Sequence, residues 1–135
     1  FAEPFAGVRE GLQALYAAGL PMACLTNKPQ AHAEALLEAL DLRQYFRVVF
    51  GGDAFPRKKP DPMPLLETAR ALGTVPAVTL MLGDSSNDAQ AAHAAGCPVL
   101  LLSYGYNHGQ PVREVPADGY LDSLMELVVV PHAAA

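Results

Sequence analysis

Apolar and polar residues follow two patterns along this chain, one typical of amphipathic helices and one typical of buried strands. The helical periodicity predicts helices over 7–18, 29–40, 64–72, 85–95 and 122–130. Short apolar runs predict strands over 21–26, 47–50, 78–82, 98–102 and 119–121. Glycines at positions 19 and 96 follow two of the helices, where a helix commonly ends.

The predicted strands are apolar throughout, a pattern typical of parallel strands that are covered on both faces. Because helices and strands alternate, the chain predicts an α/β fold, with one doubly wound parallel sheet and helices on both faces. In such sheets, ligands bind beyond the carboxyl ends of the strands. The residues that follow strands are therefore the first candidates for chemistry, and they are 26–28, 52–53, 83–84 and 103–105.

The composition fits one folded domain and excludes several classes of protein. The chain has 135 residues, of which 51% are hydrophobic and 17% are charged, enough for a core. A net charge of −5 excludes a strongly basic nucleic-acid binder, so we expect no nucleic-acid partner. No apolar run reaches the roughly 18 residues of a membrane span, so we predict no membrane contact. The two cysteines, Cys24 and Cys97, are too few for a disulfide scaffold. Both lie in apolar runs, so we expect buried free thiols in a reducing compartment and a cytoplasmic location.

Two carboxylates follow the strand predicted over 78–82. Asp84 comes directly after Gly83, and Asp88 lies four residues later, in the first turn of the next helix. Together they predict a Mg²⁺ site, because Mg²⁺ prefers oxygen ligands and keeps several waters. For Asp84, at the end of a buried strand, a metal is the natural partner. For Asp88, an open alternative is a capping box in which Ser85 caps the helix and Asp88 bonds back to it.

Two other segments carry groups that suit a phosphate. Thr26 and Asn27 end a strand directly before a helix, where a hydroxyl and backbone N–H groups can hold a phosphate oxygen. Capping of that helix by either residue is the alternative. Lys59 lies in a proline-rich loop, where its charge can neutralise a phosphate or a carboxylate. Its alternative is the common one, a solvated loop lysine.

Taken in order along the chain, these segments resemble the motifs of the haloacid dehalogenase (HAD) superfamily of phosphohydrolases. The segments similar to its second motif, its motif lysine and its fourth motif are Leu25-Thr26-Asn27, Lys59-Pro60 and Gly83-Asp84-Ser85-Ser86-Asn87-Asp88. The resemblance extends over about 4–127. It implies a HAD-type Rossmann-like core, of which residues 1–135 are the C-terminal part.

The resemblance also implies an activity, Mg²⁺-dependent hydrolysis of a phosphomonoester through an aspartyl-phosphate. According to the resemblance, the Thr26 hydroxyl and the Asn27 N–H donate hydrogen bonds to the phosphoryl group. Lys59 pairs with the nucleophile and the phosphate oxygens. Asp84 becomes a direct Mg²⁺ ligand, and Asp88 supports the metal through water or orients Lys59. The implied substrate of the whole protein is a small phosphorylated metabolite, 2-phosphoglycolate, with a sugar phosphate or pyrophosphate as alternatives.

The chain departs from the family at the first motif, Asp-x-Asp-Gly-Thr, because no Asp-x-Asp occurs in the sequence. In the family that motif supplies the nucleophile and the general acid/base, and a helical cap follows it. We therefore expect a fragment that is inactive alone, or a remnant that binds phosphate and metal. Without the central first strand, two strand edges are expected to lack partners. Because such edges recruit other chains, we expect poor folding, a homo-oligomer or a borrowed strand.

Overall fold

The structure, a computed structural model, describes residues 7–103 and 112–122. Its helices are α1 (Val8–Ala17), α2 (Gln30–Ala39), α3 (Met63–Leu72) and α4 (Ser86–Ala95). Its strands are β1 (Ala23–Leu25), β2 (Val48–Phe50), β3 (Met81–Gly83), β4 (Val99–Leu102) and β5 (Gly119–Leu121). This alternation confirms the predicted α/β class. The helix predicted over 122–130 lies outside the described residues, apart from its first position.

The strands pair in parallel and form two groups. β1 lies beside β2, and β4 lies between β3 and β5. No ladder joins β1 to β3 within the part of the chain that the structure describes, so each of them has one edge without a strand partner there. This arrangement matches the two unpaired edges expected from the sequence. Poor folding, a homo-oligomer and a borrowed strand stay predictions.

Two apolar cores hold the helices against the strands. The larger core surrounds α4 and β4, where Val99 and Leu101 are completely buried. The smaller core centres on Leu12 of α1 and includes residues that follow α2. Leu25 of β1 packs against the larger core, whereas Leu82 of β3 packs against the smaller one. Side chains therefore connect the two groups of strands.

One predicted strand begins later than its apolar run. The run over 78–82 becomes a strand only at Met81, because Pro76–Val78 forms a 3₁₀ turn before it. The Thr79 hydroxyl donates a hydrogen bond to the Val75 carbonyl oxygen at 2.7 Å and stabilises that turn locally. The Val78 side chain remains 72% exposed, so the prediction of a buried strand from this residue onward is wrong.

The two cysteines lie within the packed part of the fold. Cys24 in β1 is half-buried and Cys97 is buried, and both are free thiols. Burial raises the pKa of each thiol, which favours a packing role over a nucleophilic one. Among the helices in the described ranges, none has the length and apolar character to cross a membrane.

Candidate active site

Lys59 reaches from the loop before α3 to the carboxyl ends of β1 and β3. Its Nζ donates to the Leu25 carbonyl oxygen at 3.2 Å and lies 2.6 Å from Asp88 Oδ1. Only 10% of the Lys59 side chain and 7% of the Asp88 side chain are exposed. A buried ammonium group needs such partners, because an unpaired charge in the interior is strongly destabilising. Lys59 is therefore not a solvated loop lysine, whereas its neighbour Lys58 is exposed.

Asp88 uses both carboxylate oxygens. While Oδ1 pairs with Lys59, Oδ2 accepts the Asp84 backbone N–H at 2.9 Å. Ser85 occupies the N-cap position of α4 but makes no side-chain capping bond to the helix. The capping box considered for Ser85 and Asp88 is therefore not formed. Asp88 Oδ2 accepts the Asp84 N–H and, at 3.4 Å, the Ser85 hydroxyl, rather than the Ser85 backbone N–H. These contacts are the ones expected if Asp88 orients Lys59.

Gly83 permits this close approach between the end of β3 and Asp88. A Cβ atom at position 83 would lie 2.4 Å from the Asp88 Cβ atom and 2.6 Å from its Oδ2 atom. The Asp88 side chain cannot move aside without breaking its bonds to Lys59 and Asp84. Glycine at this position is therefore a requirement of the site's packing.

We expect Gly83→Ala to lower the free energy of unfolding of the full-length protein by about 1–3 kcal/mol, the usual effect of overpacking. Urea unfolding measures this change. Gly119→Ala in β5 is a matched control, because a Cβ atom there would meet only the tip of the Leu100 side chain, at 2.8 Å. Equal losses in the two variants would contradict the close packing inferred at Gly83.

Asp84 is a half-buried carboxylate beside a second carboxylate, Asp88. Burial raises its pKa, the neighbouring Asp88 raises it further, and Lys59 opposes these effects more weakly. No Lys or Arg in the described ranges forms a salt bridge with Asp84, and these ranges contain no group of three or more His, Cys, Asp or Glu able to hold a metal. A carboxylate shifted towards its neutral form in this way would gain from a bound cation. A divalent ion bound here would have Asp84 as a direct carboxylate ligand and Asp88 as a ligand through water.

The loop after β1 contributes hydrogen-bond donors beside Lys59. The Thr26 hydroxyl oxygen accepts the Lys28 N–H at 3.1 Å, which leaves the hydroxyl proton available to another acceptor. The Asn27 side chain donates to the Lys59 carbonyl oxygen at 3.2 Å. The N-cap of α2 is Pro29, so the prediction that Thr26 or Asn27 caps this helix is wrong.

The structure thus brings Thr26, Asn27, Lys59, Asp84 and Asp88 to one region at the carboxyl ends of β1 and β3. Ser103, which follows β4, instead donates to Asp122 at 2.6 Å, and 104–105 lie outside the described residues.

Sequence reasoning missed Gln30 and listed Asp53 only among the residues that follow strands, although the two are bonded. Asp53 Oδ1 accepts the Gln30 backbone N–H at 2.6 Å. A signal for this contact was available in the glycine pair at 51–52, which allows two backbones to approach closely.

This fold is that of a known family. Residues 1–102 match the sequence family described as haloacid dehalogenase-like hydrolase. The chain belongs to the haloacid dehalogenase-like hydrolase family, which confirms the resemblance inferred from its motifs.

Individual relatives are similar over nearly the whole chain. A phosphoglycolate phosphatase from Thiobacillus denitrificans is 50% identical over 127 residues, which are 94% of this chain and 56% of that protein. The crystal structure of a predicted phosphoglycolate phosphatase from Haemophilus somnus matches with a TM-score of 0.87 and 38% identity, over 90% of this chain and 54% of that one. A CbbY mutant from Rhodobacter sphaeroides in complex with xylulose-1,5-bisphosphate matches with a TM-score of 0.81 and 29% identity, over 93% and 56%. The chain spans about half the length of the curated relatives it matches.

Proposed function

We propose that the full-length protein, meaning the whole protein that contains this chain, is a phosphatase that hydrolyses a small phosphomonoester, 2-phosphoglycolate. The observation that carries this proposal is Lys59, which is held by the Leu25 carbonyl oxygen and Asp88. The similarity to phosphoglycolate phosphatases supports the substrate. In this proposal residues 1–135 are the C-terminal part of the core domain, and the protein works in the cytoplasm.

The groups of this chain would bind the phosphoryl group by hydrogen bonds and charge. The Thr26 hydroxyl and the Asn27 N–H donate to its oxygens, while the Lys59 ammonium group offsets repulsion between the phosphate and an attacking carboxylate. Asp88 and the Leu25 carbonyl oxygen keep the ammonium group in place. Phosphoryl transfer depends mainly on positioning and charge stabilisation, which are the contributions these residues can make.

Two components of the proposed reaction are not supplied by these residues. A divalent cation, Mg²⁺ in our proposal, would be held by Asp84 directly and by Asp88 through water, and when bound it would neutralise charge on the phosphoryl oxygens. The nucleophile that forms an aspartyl-phosphate and the general acid/base belong to an Asp-x-Asp motif, which this sequence does not contain. In this proposal both carboxylates come from residues of the full-length protein outside this sequence.

A sugar phosphate is the second candidate substrate. The observation that favours it is the similarity to the CbbY mutant whose structure contains xylulose-1,5-bisphosphate. That relative is 29% identical to the chain, whereas the phosphoglycolate phosphatase from Thiobacillus denitrificans is 50% identical. The phosphoglycolate assignment therefore stays first.

Phosphate release from a panel of substrates tests the proposed function. The full-length protein is assayed with 2-phosphoglycolate, a hexose phosphate, a pentulose bisphosphate and pyrophosphate, each with Mg²⁺ and with excess EDTA. We expect the highest kcat/KM with 2-phosphoglycolate and loss of activity in EDTA. A higher value with a sugar phosphate would favour the second candidate, and no release from any substrate would contradict both.

The 135-residue chain by itself is expected to release no phosphate from an aryl phosphate in the presence of Mg²⁺, because it contains no Asp-x-Asp. The sample must have a verified mass of 14.3 kDa, so that no longer form of the protein contributes. Magnesium-dependent turnover by that sample would show that the nucleophile lies within this sequence. Binding of inorganic phosphate without turnover would agree with a remnant that binds phosphate and metal.

A further inference from the structure

Gln30, the first residue of α2, makes three hydrogen bonds to β2 and to the turn that follows β2. Its backbone N–H donates to Asp53 Oδ1 at 2.6 Å. Its side-chain Nε2 donates to the Val49 carbonyl oxygen at 2.8 Å, and its Oε1 accepts the Gly51 N–H at 2.5 Å. Asp53 lies 23 residues after Gln30, so this contact fixes the start of α2 from a distant part of the chain.

The turn after β2 also lies directly against the loop after β1. The Gly52 N–H donates to the Lys28 carbonyl oxygen at 2.6 Å. A Cβ atom at position 52 would lie 2.2 Å from the Asn27 carbonyl oxygen. The two backbones are therefore packed directly against each other, so a shift of the β2 turn would displace Asn27 and Lys28.

These bonds leave one backbone donor in the loop for a ligand. Thr26 N–H donates to the Phe50 carbonyl oxygen, Lys28 N–H to the Thr26 hydroxyl and Gln30 N–H to Asp53. Position 29 is proline and has no N–H. Within 26–30, the Asn27 N–H is thus the one backbone donor without a protein acceptor, and Asn27 also contacts the Lys59 loop through its side chain.

We propose that Asp53 is a positioning residue of the phosphate site. Asp53 accepts the first N–H of α2 and thereby holds the Asn27–Lys28 backbone in place. The Asn27 N–H is then presented next to Lys59. This inference rests on the proposed function, because it assumes that the Asn27 N–H binds a phosphoryl oxygen. It goes beyond that function by assigning a role to a residue that touches neither the phosphate nor the metal.

The test compares four full-length proteins: wild type, Asp53→Ala, Asp53→Asn and Asp118→Ala. Asparagine keeps an oxygen that can accept the Gln30 N–H, whereas alanine removes it. Asp118 is the matched control, because its Oδ2 accepts the Val99 N–H at 2.8 Å at the amino end of β4, away from the site. For each protein we measure KM and kcat with 2-phosphoglycolate, the inhibition constant of inorganic phosphate, and Tm.

Asp53→Ala is expected to raise both the KM and the inhibition constant of phosphate about tenfold, the effect of one misplaced hydrogen bond to a charged group. Asp53→Asn should recover most of that loss. Each alanine variant loses one hydrogen bond from a carboxylate to a backbone N–H, so both should lower Tm by similar amounts. Asp118→Ala should keep both constants within about twofold of wild type, because its lost bond lies away from the site.

Two results would overturn the proposal while the proposed function stands. One is an Asp53→Ala protein that loses stability as Asp118→Ala does but keeps both constants, which would make Asp53 structural only. The other is an equal loss in Asp53→Asn and Asp53→Ala, which would show that the hydrogen bond does not position the loop. A wild-type protein that neither hydrolyses a phosphomonoester nor binds phosphate would instead refute the proposed function, and the role of Asp53 with it.

Discussion

Replacing Lys59 by alanine is expected to reduce kcat of the full-length protein by about 10²–10³-fold, the range found when one preorganised charge-stabilising group is removed. The side chain is nearly buried, and its ammonium group lies between the Leu25 carbonyl oxygen and Asp88. Water cannot replace that fixed charge without reorganising. Steady-state kinetics at saturating Mg²⁺ measures the loss.

The same replacement is expected to destabilise the fold, because it leaves the Asp88 carboxylate buried without its cation. Removing one partner of a buried ion pair lowers the free energy of unfolding by about 3 kcal/mol or more. The double variant Lys59→Ala/Asp88→Asn separates the two effects, since it removes the unpaired charge and should recover stability but not turnover. Urea unfolding and kcat are measured on both proteins.

Lys58→Ala is the matched control for Lys59→Ala, because Lys58 is the adjacent lysine and its side chain is exposed. It should change both kcat and stability little, since exposed charges make small contributions. If Lys59→Ala kept nearly normal turnover, or if Lys58→Ala lost as much, the role proposed for Lys59 would be wrong.

Local patterns in the sequence were sufficient to predict most elements of the fold. The helix predicted over 85–95 is observed over Ser86–Ala95, and the strand predicted over 119–121 is observed at Gly119–Leu121. Parallel pairing then placed residues from separate strands at one edge, because the carboxyl ends of parallel strands coincide. That is why Thr26 and Asp84 could be named together as site candidates from their positions after strands.

Contacts between distant parts of the chain could not be predicted in this way. The local pattern of Ser85 and Asp88 favours a capping box, yet Asp88 bonds Lys59, 29 residues earlier in the chain. The bond between Gln30 and Asp53 depends on the register of β1 and β2, in which Leu25 lies opposite Phe50. Periodicity identifies strands but does not specify their register, so the bond between Gln30 and Asp53 was not foreseeable. The pairing of Lys59 with Asp88 was expected only from the family resemblance, as one of two roles for Asp88.

The exposure of Val78 shows a related limit. An apolar run predicts a buried strand only if the backbone is extended and covered, and here a 3₁₀ turn stabilised by a threonine side chain begins first. The observed strand β3 is three residues long and ends at Gly83, which lies next to Asp88. The site is therefore unaffected by this error at the start of the strand.

The second large effect is expected from Asp84→Asn, which should reduce kcat by about 10²–10³-fold, because it removes a charged ligand from the proposed cation site. Asparagine keeps the size of the side chain and removes its charge. Its effect on stability should depend on the metal. Thermal unfolding is therefore measured in excess EDTA and again with saturating Mg²⁺, together with steady-state kinetics.

Without metal, Asp84→Asn should be at least as stable as wild type at neutral pH. Burial and Asp88 raise the pKa of Asp84, so its charged form is less favourable in the folded protein than in the unfolded chain. A neutral side chain removes that penalty. With Mg²⁺ the order should reverse, because a cation that binds only the folded wild type raises its Tm, while the variant gains little.

Asp118→Asn is the control for this reversal. Asp118 directly precedes β5 and bonds the amino end of β4, and its replacement keeps an oxygen that can accept the Val99 N–H. It should gain as much stability from Mg²⁺ as wild type does. An Asp84→Asn protein that is stabilised by Mg²⁺ like wild type would show that Asp84 is not a metal ligand. An Asp84→Asn protein that is less stable than wild type in EDTA would contradict the inference that the charged form of Asp84 is unfavourable in the fold. Asp84 would then stabilise the fold as a charged group.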